Sequence, residues 1–382
     1  MPRQIPYGHQ SIDAADVTAV VAALQGEWLT TGPTIPRFEK ALCDVTGSRH
    51  AVAVNSGTSA LDIAVAALGL PPGSEVITTP FSFAATANAI LYNDCVPVFA
   101  DIRSDSRNVD PEEIRKKITS RTRAIICMDY AGHPCELAEI RGIAQEYHLR
   151  LIDDACHALG AEYHGKRLGT FADMTIFSFH PVKPITTGEG GAVVTDDSTL
   201  AARLRLLRSH GIDRETSPCP EQGWAYDMVL LGRNYRMTDI QAALGTSQLH
   251  RLDAFLERRN RLAALYREYL DNVPQIVLPQ VREGMHHGWH LFTVLMGKCD
   301  RNAVYADLKA QGIGAQVHYI PIYRFSYYRR RFPHLVPEAF PVTEGIFHTI
   351  LTLPLYPAMS DADVAVCAGA LRRSVQNAEH SQ

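Results

Sequence analysis

Met174-Thr-Ile-Phe-Ser178 is an uninterrupted β-forming run, and Phe179-His-Pro-Val-Lys-Pro-Ile-Thr-Thr-Gly188 follows it directly. Pro181 and Pro184 exclude a regular helix there, so Lys183 is expected on a constrained loop at a strand's carboxyl end. Runs of the same kind lie at residues 51–54, 75–78, 96–100, 124–128, 150–152 and 192–195. Between several of them lie amphipathic stretches, at 59–69, 111–118 and 137–147. Strand alternating with helix predicts an α/β fold, a mainly parallel central sheet with helices on both faces. In such sheets ligands sit at the carboxyl ends of the strands, which is where chemistry is to be sought.

Further on, Thr238-Asp-Ile-Gln241 has the form of a capping box, and Ile240, Leu244, Leu252 and Phe255 continue an apolar stripe. One long helix is expected there, leading through Pro274 and Pro279 into a smaller C-terminal α+β domain. Within that domain 289–296 and 315–319 read as strands, and Asp300 as the cap of a helix ending before Gly312. The expected division is an N-terminal segment 1–30, a large domain 31–250 and a small domain 251–382.

Composition narrows the function. With 46% hydrophobic and 20% charged residues, 26 Gly and 22 Pro, the 382 residues have the balance of an ordinary globular chain. A net charge of −4 gives no broad attraction to nucleic acid or anionic lipid. No apolar run approaches the ~18–20 residues that span a bilayer. The chain reaches Asp13 and Asp16 before any apolar run, so no signal peptide is read and a cytoplasmic protein is expected. Tyr327-Tyr-Arg-Arg-Arg-Phe332 sets arginines beside aromatics, but six residues without a wider basic surface read as a solvated helix face. The eight cysteines contain no C-x-x-C, which argues against a zinc ribbon or disulfide framework. His286-His-Gly-Trp-His290 has no nearby ligand partner except Glu283, and no metal is expected.

Lysine is scarce, seven against thirty arginines, and residues 174–188 hold Lys183 without another cation or any carboxylate. A desolvated lysine is a nucleophile or Schiff-base former; a lysine snorkelling to the surface is the bland alternative. Asp153 and Asp154 end the run at 150–152, and at most one of these neighbours can face a site. A strand-end carboxylate can pair with a pyridinium nitrogen, with His157 on the same ring, or it can simply cap a helix. Asn55-Ser-Gly-Thr-Ser59 follows another strand and opens a helix, which suits a phosphate as well as an ordinary N-cap. No P-loop, dinucleotide fingerprint or nucleophile elbow is present. Amine, carboxylate and anion cradle on one parallel sheet are together the three handles of pyridoxal 5'-phosphate.

These residues resemble the DegT/DnrJ/EryC1/StrS aminotransferases of nucleotide-linked keto sugars, nearly end to end. The likeness rests on Trp28-Leu-Thr-Thr-Gly32, Asn55-Ser-Gly-Thr-Ser-Ala60, Thr79-Pro-Phe-Ser-Phe83 and Asp153-Asp-Ala-Cys-His-Ala158. It continues in Ser178-Phe-His-Pro-Val-Lys183, Gly188-Glu-Gly-Gly191 and Gly232-Arg-Asn-Tyr-Arg-Met237. The resemblance implies a fold-type I pyridoxal-phosphate transferase working as a homodimer. It implies that Lys183 carries the cofactor and later moves the proton, that Asp154 pairs with the ring nitrogen, and that His157 meets the ring's hydroxyl side. By the same likeness Phe83 stacks on the ring, and Gly57, Thr58 and Ser178 hold the phosphate. Asn234 of the partner subunit, with Arg236 as a second candidate, approaches the same phosphate or the substrate.

Asp129-Tyr-Ala-Gly132, Lys183-Pro-Ile-Thr-Thr187, Arg208-Ser-His-Gly211 and Gln316-Val-His-Tyr-Ile-Pro-Ile-Tyr323 resemble one branch of the family. That branch acts on a UDP-linked 4-keto-6-deoxy-N-acetylhexosamine in pseudaminic acid synthesis, with glutamate as amino donor. The likeness implies sugar-nucleotide contacts from Tyr7, Glu27, Trp28, Leu29, Thr30, Gln316, Val317, His318 and Tyr319. Other keto sugars, 4-keto-arabinose or a dTDP-keto-deoxyhexose, are the alternatives within the family. A related branch that dehydrates sugars has histidine in place of the lysine, and Lys183 argues against it. A non-catalytic ligand sensor is the remaining reading from a different class.

Overall fold

The computed structural model describes residues 4–380 apart from 217, 220 and 298. Helices α1 (Ala14–Gln25) and α2 (Thr34–Thr46) precede β1 (His50–Val54), α3 (Gly57–Leu68), β2 (Glu75–Thr78) and α4 (Ala85–Tyr92). Then come β3 (Val96–Phe99), α5 (Pro111–Lys117), β4 (Thr122–Met128), α6 (Leu137–Glu146) and β5 (Arg150–Asp154). A hairpin of β6 (Glu162–Tyr163) and β7 (Lys166–Arg167) leads to β8 (Met174–Ser178), β9 (Gly191–Thr195) and α7 (Ser198–Arg208). The central sheet has the order β1-β9-β8-β5-β4-β2-β3. Only β9 runs against its neighbours; the other four pairings are parallel. All seven expected runs are strands of this sheet.

Side-chain alternation along the strands supplies both faces. Ala124 and Ile126 of β4 join a core closed by α3, α4 and α7, through Leu61, Ile90 and Leu204. Ile125 and Cys127 join a second core closed by α2 and α6, through Phe38, Leu42 and Ile140. The near-continuous apolar strands follow from this double burial.

The single helix expected after Thr238 is two, α8 (Asp239–Leu249) and α9 (Leu252–Leu270). The capping box at Thr238 and Gln241 is formed. The break falls at His250-Arg251, where Arg251 pairs with the fully buried carboxylate of Asp16 on α1. Reorientation there lets α9 serve two cores. Leu252, Phe255 and Leu256 pack against the central sheet, while Leu262, Tyr266 and Leu270 enter a C-terminal core.

A second small pair is β10 (Ile212–Asp213) with β11 (Asp227–Met228). The C-terminal sheet pairs β12 (Ile276–Val277), β14 (Phe292–Met296) and β15 (Ile350–Leu353) antiparallel, and β13 (Met285–His286) joins the β6–β7 hairpin. Around it lie α10 (Arg301–Ala310), α11 (Ser326–Arg331), α12 (Pro341–Thr349) and α13 (Asp361–His380). Asp300 caps α10 as expected. Ile5 near the N-terminus also packs into this core, held by a backbone pair with Gly312 and Gly314.

Two strand expectations fail here for the same reason. The stretch at 289–296 becomes a strand only at Phe292, because Trp289 has φ +45° and Gly288 and Leu291 donate to Gly132 and Ala131. Residues 315–319 form no strand: Gln316 bridges Thr352, and the chain then turns toward the central sheet. In both places backbone that would continue a ladder carries side chains to one cavity. In α11, Tyr328 is buried and Arg329, Arg330 and Arg331 are exposed, the solvated face expected of that basic stretch.

Candidate active site

A cavity of about 420 Å³ opens at the carboxyl ends of β1, β5 and β8. Three sequence features meet in it. The loop after β8 contributes Lys183, the end of β5 contributes Asp154, and the start of α3 contributes Gly57 and Thr58. Asp153, the other half of the carboxylate pair, points to the opposite face and is fully buried beside Cys127.

Lys183 is half-buried, and its turn is tied by a hydrogen bond from its amide to His180 O. Burial pushes its ammonium down to about 8; Cys156 and Asp154 act in the opposite direction. A substantial free-amine fraction near neutral pH is the condition for nucleophilic chemistry. Thr86 Oγ1 donates to Asp154 Oδ2 at 2.7 Å, and the amide of Cys156 donates to Oδ1 at 3.3 Å. The carboxylate is thereby held in one orientation.

Ser56 caps α3, accepting from the Ser59 amide, a contribution of about 1 kcal/mol. The first-turn amides of Gly57 and Thr58 have no acceptor within the helix, and the helix dipole adds partial positive charge. Glycine is required at 57, because a Cβ there would lie 2.9 Å from Ser178 Cβ and 3.0 Å from its Oγ. Bare backbone amides beside a hydroxyl make an anion cradle. Amine, carboxylate and cradle therefore fit the aldehyde, ring nitrogen and phosphate of pyridoxal 5'-phosphate.

Histidines line the remaining wall. Ala131 N–H donates to His157 Nδ1 at 3.2 Å, so Nε2 carries the proton of the neutral ring and donates to the Tyr319 hydroxyl at 3.0 Å. His318 Nδ1 lies 2.9 Å from Thr352 Oγ1, and its carbonyl accepts from the Tyr130 hydroxyl. Burial, reinforced by Lys183, holds His157 well below the usual histidine range and His318 down to about 4. Tyr7 packs on His318 with ring centroids 5.4 Å apart, and Phe83 lies 62% exposed near Tyr319.

Of the residues singled out in the sequence, Tyr7, Phe83, His157, Ser178, His318 and Tyr319 join Lys183, Asp154, Gly57 and Thr58 in this cavity. Gln316 faces a neighbouring groove that shares Tyr7, and Val317 packs against the cluster containing Phe81 and Tyr130. Within one chain Glu27, Trp28, Leu29, Thr30 and Asn234 are exposed and lie outside the cavity. Glu27 and Trp28 line a separate groove on α1 and α2. Sequence reasoning missed Thr86, which looks like any mid-helix threonine, and His290, which was hidden among the His286–His290 cluster. The fold disperses that cluster: His286 is exposed, His287 stacks on Trp289, and His290 faces Lys183.

Known proteins share this architecture. The UDP-4-amino-4,6-dideoxy-N-acetyl-beta-L-altrosamine transaminase of Campylobacter jejuni is 42% identical over 365 residues, covering 94% of each chain. The solved structure of Helicobacter pylori PseC, an aminotransferase involved in the biosynthesis of pseudoaminic acid, superposes with a TM-score of 0.93. It shares 34% identity and covers 98% of this chain and all of its own. Spr1654 of Streptococcus pneumoniae, solved in a PLP form, matches with a TM-score of 0.93 at 27% identity, over 98% of this chain and 100% of that one. With a family match that spans residues 10–372, the chain belongs to the DegT/DnrJ/EryC1/StrS aminotransferase family.

Proposed function

We propose that this aminotransferase moves an amino group from glutamate to C4 of a UDP-linked 4-keto-6-deoxy-N-acetylhexosamine of the L-altro series, using pyridoxal 5'-phosphate carried on Lys183. The observation that carries the cofactor half is the convergence of the Lys183 amine, the Asp154 carboxylate and the α3 amino end on one cavity. The sugar half is supported by 42% identity to the Campylobacter transaminase named for that sugar. When bound, the cofactor supplies an electron sink that makes the carbon bearing the amino group acidic.

Each step of the reading falls to a group of this chain. Lys183 Nζ holds the cofactor and, once released, is the base that moves the proton. Asp154 keeps a proton on the ring nitrogen, oriented for this by Thr86. The amides of Gly57 and Thr58 and the Ser178 hydroxyl take the phosphate, Phe83 covers a ring face, and His157 meets the ring's hydroxyl side. Tyr7, His318 and Tyr319 line the mouth toward the sugar, with Gln316 and Val317 just beyond.

The remaining contacts come across a two-fold dimer in this reading. Asn234 and residues 27–30 are exposed in one chain, as contributors to a neighbour's site must be. Inactive Lys183→Ala and inactive Asn234→Ala subunits, mixed, then regain activity, since a heterodimer keeps one intact site. The substrate test compares kcat/KM for the L-altro keto sugar, UDP-4-keto-arabinose and dTDP-4-keto-6-deoxyglucose with glutamate as donor. Preference for either rival by tenfold or more defeats the sugar assignment and leaves the aminotransferase standing.

A further inference from the structure

His290 stands against the reacting amine and is unaccounted for by any role above. Its Nε2 lies 3.5 Å from Lys183 Nζ, while its Nδ1 is buried without a hydrogen-bond partner. Buried polar atoms without partners are rare, and an apolar side chain of similar volume would avoid the penalty. An imidazole kept under those terms has its use at the other nitrogen.

The backbone that delivers it is held in an unusual state. Trp289, immediately before it, has φ +45°, a left-handed conformation that a bulky side chain adopts only when its surroundings enforce it. The enforcement is visible. Buried Arg259 on α9 donates to the carbonyls of Trp289, His290 and Leu355. Gly288 and Leu291 donate to the β4–α6 connection at Gly132 and Ala131, and Trp289 Nε1 donates to Asn260. The strained turn interrupts what would otherwise be a longer β14 and aims His290 into the cavity.

The charge environment fixes its protonation. Around His290 stand Lys183 from the β8 loop, His157 after β5, His318 from the 315–319 segment and Arg259 from α9; Asp154 at the end of β5 and Cys156 just beyond it face Lys183. Burial first, then the charge of Lys183, with Arg259 adding to it, hold the His290 ring neutral. In the neutral tautomer protonated at Nδ1, Nε2 is free to accept a hydrogen from the amine. A 3.5 Å separation is long for a hydrogen bond, and such contacts tighten when a site is occupied.

We infer that His290 is a positioning residue for Lys183: its unprotonated Nε2 accepts a hydrogen from Nζ whenever the lysine is free and aims the amine at the cofactor carbon. This rests on the aminotransfer reading of the site. It predicts that reach matters. Glutamine at 290 extends its amide to the position of Nε2, whereas asparagine ends near Nδ1.

The test uses the full chain and pyridoxal 5'-phosphate itself, with capture at Lys183 followed by borohydride reduction and peptide mapping from pH 6 to 9.5. Expected for His290→Gln is a capture midpoint and kcat within ~3-fold of the parent. His290→Asn is expected to lose ~10-fold or more in kcat with little change in sugar KM, the loss of one charge-assisted hydrogen bond. Its capture midpoint moves down, because the ammonium form has lost its acceptor. Asn and Gln forms that behave alike, in either direction, overturn the proposal. Independently of any variant, ¹⁵N-histidine spectra of the parent must show an unprotonated Nε2 at His290; a protonated one overturns it. Capture of the cofactor at a lysine other than 183 in the parent would instead defeat the functional reading beneath it.

Discussion

Thr86 Oγ1 sits 2.7 Å from Asp154 Oδ2, and Ser82 Oγ sits 2.8 Å from Thr86 Oγ1. Because the carboxylate must accept, the Thr86 hydroxyl donates to it and Ser82 donates to Thr86, a two-step relay from the loop before α4. The relay holds the carboxylate at the strand end where a ring nitrogen is to be met. Asp154→Asn is expected to lower kcat at least ~100-fold, since a neutral amide cannot keep that nitrogen protonated. Thr86→Val keeps the shape and loses only the restraint, so a ~3–10-fold loss is expected. Steady-state kinetics on the two variants check the ranking; a Thr86→Val loss as large as that of Asp154→Asn would contradict it.

Lys183 supplies a pH dependence of definite sign. Its ammonium is pushed down to about 8 by burial. An ordinary lysine near 10.4 has well under ~1% free amine at pH 8, whereas Lys183 is about half deprotonated there. Covalent capture of pyridoxal 5'-phosphate should therefore rise through pH 8 and level off about a unit above it. Asp154 favours the ammonium, so Asp154→Asn should move the midpoint lower still. Stopped-flow absorbance across pH 6 to 10.5 measures both; a midpoint near 10 would refute the enclosed-amine description. Lys183→Ala should abolish turnover and leave no borohydride-fixed cofactor, on Lys166 or elsewhere.

Glycine at 57 is a geometric requirement with a built-in control. A methyl group there would press on Ser178 Oγ and, closer still, on Ser178 Cβ, which is fixed to the β8 backbone and cannot turn away. Gly57→Ala should separate α3 from β8, weaken pyridoxal 5'-phosphate binding ~10-fold or more and cost about 1–3 kcal/mol as overpacking. Gly142, inside α6, has nothing within 4 Å of the position a methyl would take, so Gly142→Ala should be neutral or stabilising by up to ~1 kcal/mol. Cofactor titration and thermal melts of both variants decide it; equal binding in the two would remove the cradle argument.

What the sequence could and could not disclose follows the range of the interactions. The central sheet was legible because each strand is buried on both faces and leaves a compact apolar run between turn residues. Lys183, Asp154 and Gly57 were legible because strand ends are where such sheets bind. Trp289 and the 315–319 segment elude a local reading because their patterns are those of strands. Their conformations are set by partners far along the chain: Arg259 for Trp289, and Thr352, Tyr130 and His157 for His318 and Tyr319. The His250-Arg251 break is hidden for a similar reason, since its cause, the buried Asp16, lies more than two hundred residues away.

Two sets of buried groups should oppose each other in the pH dependence of stability. His157, His287, His290 and His318 are held below the ordinary histidine value by burial. Below pH ~6.5 the unfolded chain binds protons that the folded chain refuses, so stability falls as pH falls. For His318, whose midpoint is about 4, the loss by pH 4 is about 3 kcal/mol. Asp129 and Asp153 behave oppositely. Burial raises Asp129 to about 7, and burial together with the Asp129 charge raises Asp153 well above its ordinary value. Both are protonated in the folded chain over a range where the unfolded chain has released its protons. Their contribution is complete below pH ~4; that of Asp129 is withdrawn as pH rises toward 7, and that of Asp153 is withdrawn in the same direction as pH rises. Asp153→Asn keeps the shape of the neutral carboxyl and removes that withdrawal. Its thermal midpoint should exceed the parent's at pH 8, with the gap closing toward pH 4, while His318→Gln should flatten only the acid limb. Melting curves of the three proteins from pH 4 to 8 separate the two sets. An Asp153→Asn chain that is less stable than the parent at pH 8 but not at pH 4 would show that Asp153 is ionised in the folded state and that its contribution has the opposite sign.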